Sequence, residues 1–160
     1  MNAPLQSERR RTDNGFSLIE LMVVVIILGV LAGIAIPVFM HSTEHADDAR
    51  AKSDLHNLAV YEEGYAVDNN AAYGSALQLF ASAAHLPVSQ QDTVWVYTSA
   101  GGYCLVGHNT SSASYLVYSS GTGLQSTRYA TLAAAQATCT GSGYSSAGTL
   151  ANDGTGTRAT

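Results

Sequence analysis

The feature that most constrains this chain is an uninterrupted apolar run from Phe16 to Met40, 25 positions in which Ser17 and Glu20 are the only polar residues. As an α-helix at 1.5 Å per residue the run spans about 38 Å, enough to cross a hydrocarbon layer of about 30 Å with some tilt. It is too long for the apolar region of a secretory signal peptide, and no small-x-small cleavage site follows it. Arg9, Arg10 and Arg11 stand directly before it, so the positive-inside rule puts the N-terminal side in the cytoplasm and the rest outside. A segment of this kind cannot also be the core of a water-soluble domain. The remainder is then a small domain of marginal intrinsic stability.

Composition sharpens this division. Hydrophobic residues make up 46% of the chain, but much of that share lies in the one run, and the last third is rich in Ser, Thr, Gly and Ala. The formal charge is −5, and removal of residues 1–15 takes away three Arg and two acids, leaving −6. An acidic body with few Lys and Arg does not offer the clustered cations that phosphate contacts need, so direct nucleic-acid binding is not expected.

The helix is expected to continue past the apolar run. Ala51, Leu55, Leu58, Tyr65 and Ala66 recur at three- and four-residue steps, with Asp47, Asp48, Lys52, Asp54 and Glu63 on other faces. Asn69-Asn70 and Gly74 are the first strong stop signals, so one helix is predicted from about Phe16 to about Val67. Gly29, Gly33 and Pro37 interrupt it, and Pro37 removes a backbone donor, so a kink or local loosening is expected there. Beyond lie a short helix over Ser75–Ala84 and three strand-like runs, Thr93–Thr98, Tyr103–Gly107 and Ser114–Ser119, with glycine turns that favour an antiparallel meander. A helical turn is predicted over Thr131–Ala137, and 140–160 reads as a loosely ordered Gly/Ser/Thr tail.

Two cysteines, Cys104 and Cys139, have no CxxC spacing and no companion ligands, which argues against zinc. If they lie outside the cytoplasm, a disulfide is the natural pairing and would staple an undersized domain; two unrelated free thiols are the alternative. His41, Glu44, His45 and Asp48 share helical spacings that suit a divalent metal, but the HSTEH order is not HExxH, and a solvated face where the helix leaves the membrane is the reading preferred here. Asn109-Thr110-Ser111 fits a glycosylation sequon. Tyr61, Tyr65 and Trp95 read as core or subunit-interface residues. Gly101-Gly102 and Gly121-x-Gly123 are turn glycines without a P-loop context, and no nucleophile–base or paired-carboxylate arrangement stands out. The expectation is a structural protein and not an enzyme, with no cofactor and no metal.

The hexapeptide Gly15-Phe16-Ser17-Leu18-Ile19-Glu20, directly ahead of the apolar run, resembles the cleavage and methylation signature of type IV pilins and type II secretion pseudopilins. The resemblance is close over residues 9–40 and compatible in layout beyond. It implies removal of a leader (1–15) after Gly15 by a prepilin peptidase that also N-methylates Phe16. It further implies an α+β lollipop fold, with a filament-core helix half (16–40), an amphipathic half (41–68) and a small antiparallel-sheet head (69–139) before the tail (140–160). Gly29 and Pro37 fall where such pilins carry helix-loosening residues. The implied partners are the membrane lipid before assembly, a membrane platform with its ATPase, and further copies of the chain. The implied route runs from a single-pass inner-membrane protein to a surface pilus serving adhesion, motility or DNA uptake.

Glu20 has a physical reason in this setting, because a carboxylate inside a lipid-spanning helix costs several kcal/mol unless paired. Cleavage would create an amine at Phe16, one turn away, on its own subunit or on a neighbour. The presence of Glu20, and the absence of an acidic calcium loop near the C-terminus, lean towards a major pilin. A pseudopilin or minor pilin, and a membrane-anchored binding protein that never polymerises, are the alternatives.

Overall fold

The computed structural model describes residues 15–83, 86–152 and 157–160; the expected leader, residues 1–14, lies outside them, as does the side chain of His41. The chain divides into two units at Met40/His41. Helix α1 (Leu18–Asp68) is 51 residues long and carries Pro37 within it.

In the first unit the helix begins at Ser17, whose carbonyl accepts the amides of Glu20 and Leu21 at 3.1 and 3.2 Å. Every described position from Gly15 to Met40 is exposed, including Ile34 at 66% and Phe39 at 70%. An 18-residue window of this helix has a mean hydropathy of 3.0 and none of it is buried. Such a surface is stable only against lipid or other apolar helices.

The second unit contains the other half of α1, which ends where the sequence placed its stop. Asn70 and Ala71 take positive φ values of 55° and 61°, and the Ala71 amide closes onto the Ala66 carbonyl at 2.8 Å. Helix α2 (Ala76–Ser82) starts at Ser75, whose hydroxyl accepts from the Gln78 amide while the Gln78 side chain accepts from the Ser75 amide. That reciprocal pair satisfies two otherwise orphaned donors.

Six strands follow, β1 (Asp92–Ser99), β2 (Gly102–Asn109), β3 (Leu116–Ser119), β4 (Gly123–Leu124), β5 (Ser145–Asn152) and β6 (Thr157–Ala159), with helix α3 (Leu132–Gly141) inserted before β5. The sheet order is β4-β3-β2-β1-β5-β6, every pairing antiparallel. A long N-terminal apolar helix followed by an antiparallel sheet is the α+β architecture expected from the sequence.

The sheet is covered on both faces. On one, Ala51, Leu55 and Leu58 of α1 and Leu79 of α2 pack with Val94, Val96, Leu105 and Leu150. On the other, Ala135 and Cys139 of α3 pack with Tyr97, Val106 and Val117. This is why β2 is buried at six consecutive positions instead of alternating. Leu55 reaches the sheet because Gly107 has no side chain; a Cβ there would lie 2.9 Å from the Leu55 Cγ. Cys104 and Cys139 are joined by a disulfide that ties β2 to α3. Closing that loop in the unfolded chain is worth about 3–4 kcal/mol by chain entropy.

The described residues of the 140–160 segment, 140–152 and 157–160, correct the sequence reading. They are not a loose tail: α3 runs on to Gly141, and β5 pairs with β1 from Thr93↔Ala151 to Thr98↔Ser145. Without β5, one edge of β1 would leave its amides and carbonyls unpaired beside the core. Leu150, fully buried, anchors the strand.

Candidate functional site

Two groups of side chains separate from the general scaffold, one at the start of α1 and one where its second half meets the sheet. At the start, Gly15, Phe16 and Ser17 are outside the helix and exposed, Phe16 at 83%. Ser17-Leu18-Ile19-Glu20 is also a capping sequence, since the Ser17 amide donates to Glu20 Oε2 at 3.4 Å. Glu20 therefore serves its own helix as well as offering a charge. Gly29 and Gly33 lie in open space on the exposed helix, with no atom within 4 Å of an added Cβ. The helix continues through them and through Pro37.

The second group escaped the sequence reading. Asp48, Asp54 and Glu62 are 3%, 4% and 0% exposed, on the same face as Ala51, Leu55, Leu58 and Ala66. Asp48 and Asp54 are thus not on a solvated face, and Asp48 does not stand with Glu44 and His45, which are exposed. Asp48 accepts the Ser112 hydroxyl at 2.6 Å and the Ser114 hydroxyl at 3.3 Å, and forms an ion pair with Arg128. Asp54 accepts the Ser89 hydroxyl at 2.9 Å and the Ser89 amide. Glu62 accepts the Gly74 amide at 2.9 Å, and Tyr103 donates its hydroxyl to the Ala59 carbonyl at 3.3 Å. Each carboxylate takes up donors from a connecting segment, where strand and helix ladders supply no acceptors. Their spacing of 6 and 8 residues was the available signal, since it matches the apolar stripe and not the polar side of the helix.

Burial pushes Glu62 up to about 7, the Gly74 amide opposing and the neighbouring Glu63 charge adding. Burial likewise pushes Asp92, at the start of β1, up to about 7. The Asn109 amide nitrogen donates to Asp92 Oδ1, and Asn109 is fully buried. The sequon asparagine is therefore a structural residue closed to a glycan in the folded head. Trp95 and Tyr65 are half-buried beside the two cores, whereas Tyr61 is 41% exposed.

A capped and exposed helix, apolar but for Glu20 over its first half and long enough to cross a membrane, thus precedes a disulfide-stapled sheet domain. Comparison with known proteins shows what this arrangement is similar to. Residues 10–36 match the model of the prokaryotic N-terminal methylation motif. The chain is similar to the type II secretion system core protein G of Aeromonas hydrophila, 42% identical over 39% of this chain and 43% of that protein. It is similar to the core protein G of Pseudomonas aeruginosa, 43% identical over 44% of this chain and 49% of that one. It is also similar to the type IV wide pilus major component PilA4 of Thermus thermophilus, 29% identical over 62% of this chain and 76% of the other. The chain is thus similar, most closely in its N-terminal part, to type IV pilins and type II secretion pseudopilins. It spans less than half the length of the core G proteins it matches.

Proposed function

We propose that the chain is the structural subunit of a type IV pilus filament, in the role of major pilin. In this reading a prepilin peptidase cuts after Gly15 and methylates Phe16, and the processed subunit waits in the inner membrane with its sheet domain outside. The assembly platform and its ATPase then polymerise it. The observation that carries the reading is the exposed apolar helix with a carboxylate in its first turn and an exposed Gly15–Phe16 bond just before it. Gly15 has no Cβ, so the bond before Phe16 can lie extended in a protease site. Glu20 then meets the Phe16 amine of its own or a neighbouring subunit and sets register, while the apolar helices form the filament core. Gly29, Gly33 and Pro37 allow the helix to stretch in the polymer, where neighbouring helices replace the lipid that penalises open backbone groups.

The similarity to a wide pilus major component reaches into the sheet domain, which supports a shaft subunit. The similarity to several core G proteins favours a second reading, a pseudopilin in a short secretion fibre. Electron microscopy of sheared surface material with mass spectrometry of its subunit decides between them. Filaments built of a chain beginning at methylated Phe16 are expected. Loss of protein secretion without loss of surface filaments on deletion would give the pseudopilin reading, and a filament subunit retaining Arg9–Arg11 would overturn the processing.

A further inference from the structure

Asp54 of α1 and Asp92 of β1 are 4% and 1% exposed. Ser89 joins them, its carbonyl accepting the Asp92 amide at 3.0 Å while its own amide and hydroxyl go to Asp54, and the two carboxyl groups come within hydrogen-bond reach. Both oxygens of Asp54 already accept from Ser89, Oδ2 from its amide and Oδ1 from its hydroxyl. Asp92 takes one hydrogen bond from Asn109 on Oδ1, and its Oδ2 receives no donor. Two bare carboxylates in contact and out of water repel strongly, so something positive belongs between them. A proton and a metal cation are the two options.

Asn109 distinguishes them. Its Oδ1 accepts the Ser111 amide at 2.8 Å, which fixes the side chain with its NH2 group towards Asp92. A cation site would call for the amide oxygen at that point, whereas an NH2 donor suits a carboxyl group. We propose that Asp54 and Asp92 share one proton, forming an acid–carboxylate clasp that fastens the start of β1 to α1 and loosens when the surroundings turn alkaline.

The other groups facing Asp92 fit this assignment. Burial first, and then Asp54, raise the Asp92 pKa; Asn109 from β2 and Arg50 from α1 oppose. Arg50 is 46% exposed and lies 3.6 Å from Asp47, so its pull is shared and screened. In the unfolded chain Asp92 ionises near 4, whereas in the folded chain it is pushed up to about 7. Folding between those values takes up one proton. The unfolding equilibrium constant therefore rises about tenfold per pH unit from about 4 to about 7 on account of this pair, and levels off above.

The test uses the full chain in detergent micelles. Infrared spectra of the unaltered protein, stepped from about pH 5 to about pH 8, are expected to lose the band of a protonated carboxylic acid. Glu62 contributes a band of the same kind, so the step is repeated in Asp92→Asn, where the loss is expected to be halved. Asp92→Asn is also expected to unfold at a higher temperature at about pH 8 and to lose about one tenfold factor per pH unit from the acid-side slope. Unaltered carboxylic-acid loss in Asp92→Asn overturns the proposal. So does a rise in thermal stability on adding calcium, magnesium or manganese that is abolished in Asp92→Asn, which would make the pair a cation site. Should the variant fail to fold, the same band followed in Asp54→Asn and Glu62→Gln separates the two sources, and a loss that disappears wholly in Glu62→Gln equally overturns the clasp.

Discussion

Glu62 shows how one residue sets the balance along the seam between α1 and the sheet. It is fully buried, one oxygen holds the Gly74 amide, and the other has no donor. Held up to about 7 by burial, it folds as a neutral acid but unfolds to an ion. Its folded pKa lies above the unfolded value near 4.5, so the unfolded state loses its proton first. Its contribution is complete below about 4.5 and is lost as pH rises towards about 7. Glu62→Gln imitates the neutral acid and is expected to be more stable than the parent at about pH 8, by on the order of 1–2 kcal/mol, with little difference at about pH 4. Urea unfolding at the two pH values measures it; equal stability at both would mean that Glu62 ionises freely in place. Sorting side chains into apolar and polar faces hid this residue's neighbours. Asp48 and Asp54 were assigned to other faces because of their type, although their spacing set them on the buried stripe. The hydrogen-bonding demand of Ser89, Ser112 and Gly74 comes from segments distant in sequence, and local pattern carries no trace of it.

The elements were legible in proportion to how local their causes are. Helix α1 was anticipated within two residues at each end, because an apolar run, an amphipathic stripe and an Asn-Asn stop are all written locally. The same holds for β1, which alternates Val94 and Val96 with Trp95 and Tyr97, for β2, which follows the Gly101-Gly102 turn, and for α2 and α3, which begin after capping Ser75 and Thr131. Strand β5 was missed since Ser145-Ser146-Ala147-Gly148-Thr149-Leu150 has little to bury and offers only Leu150 as an anchor. Its strand state is imposed by the open edge of β1 and by β6, which closes it through Leu150↔Ala159. Gly148, at φ 111°, lets the strand pass the Thr160 carbonyl, which would lie 2.5 Å from a Cβ. Leu150→Ala is accordingly expected to destabilise the sheet domain by about 2–5 kcal/mol, as for other fully buried leucines. The same change at Leu124, 40% exposed on β4, is expected to have an effect below about 0.5 kcal/mol. Denaturant midpoints of the two variants give the comparison, and a small effect at Leu150 would return 140–160 to the status of a tail.

For the whole molecule, one chain carries two kinds of surface: the first unit is apolar enough to suit lipid, and the second buries its apolar side chains in its own core. Assembly, in the proposed function, exchanges the lipid around the first unit for identical helices, and Glu20 is the residue for which that exchange has the largest electrostatic consequence. The structure gives it two roles that a single substitution would confuse, since it accepts the Ser17 amide as a helix cap and carries a charge. Glu20→Ala removes both. Glu20→Gln keeps an oxygen that can cap the helix, because Gln serves at this position of a capping box, but removes the charge. Membrane insertion of either variant is expected to be unchanged or slightly easier, the helix being more apolar. Filament yield, measured against the membrane pool of processed subunit, is expected to fall by at least about tenfold in both, because the Phe16 amine would be buried without a counter-charge and such a loss is worth about 3–5 kcal/mol. Glu20→Asp, with a shorter arm, should retain part of the yield. Full assembly by Glu20→Gln together with failure of Glu20→Ala would locate the requirement in the helix cap, and normal filaments from both would leave register to helix packing alone.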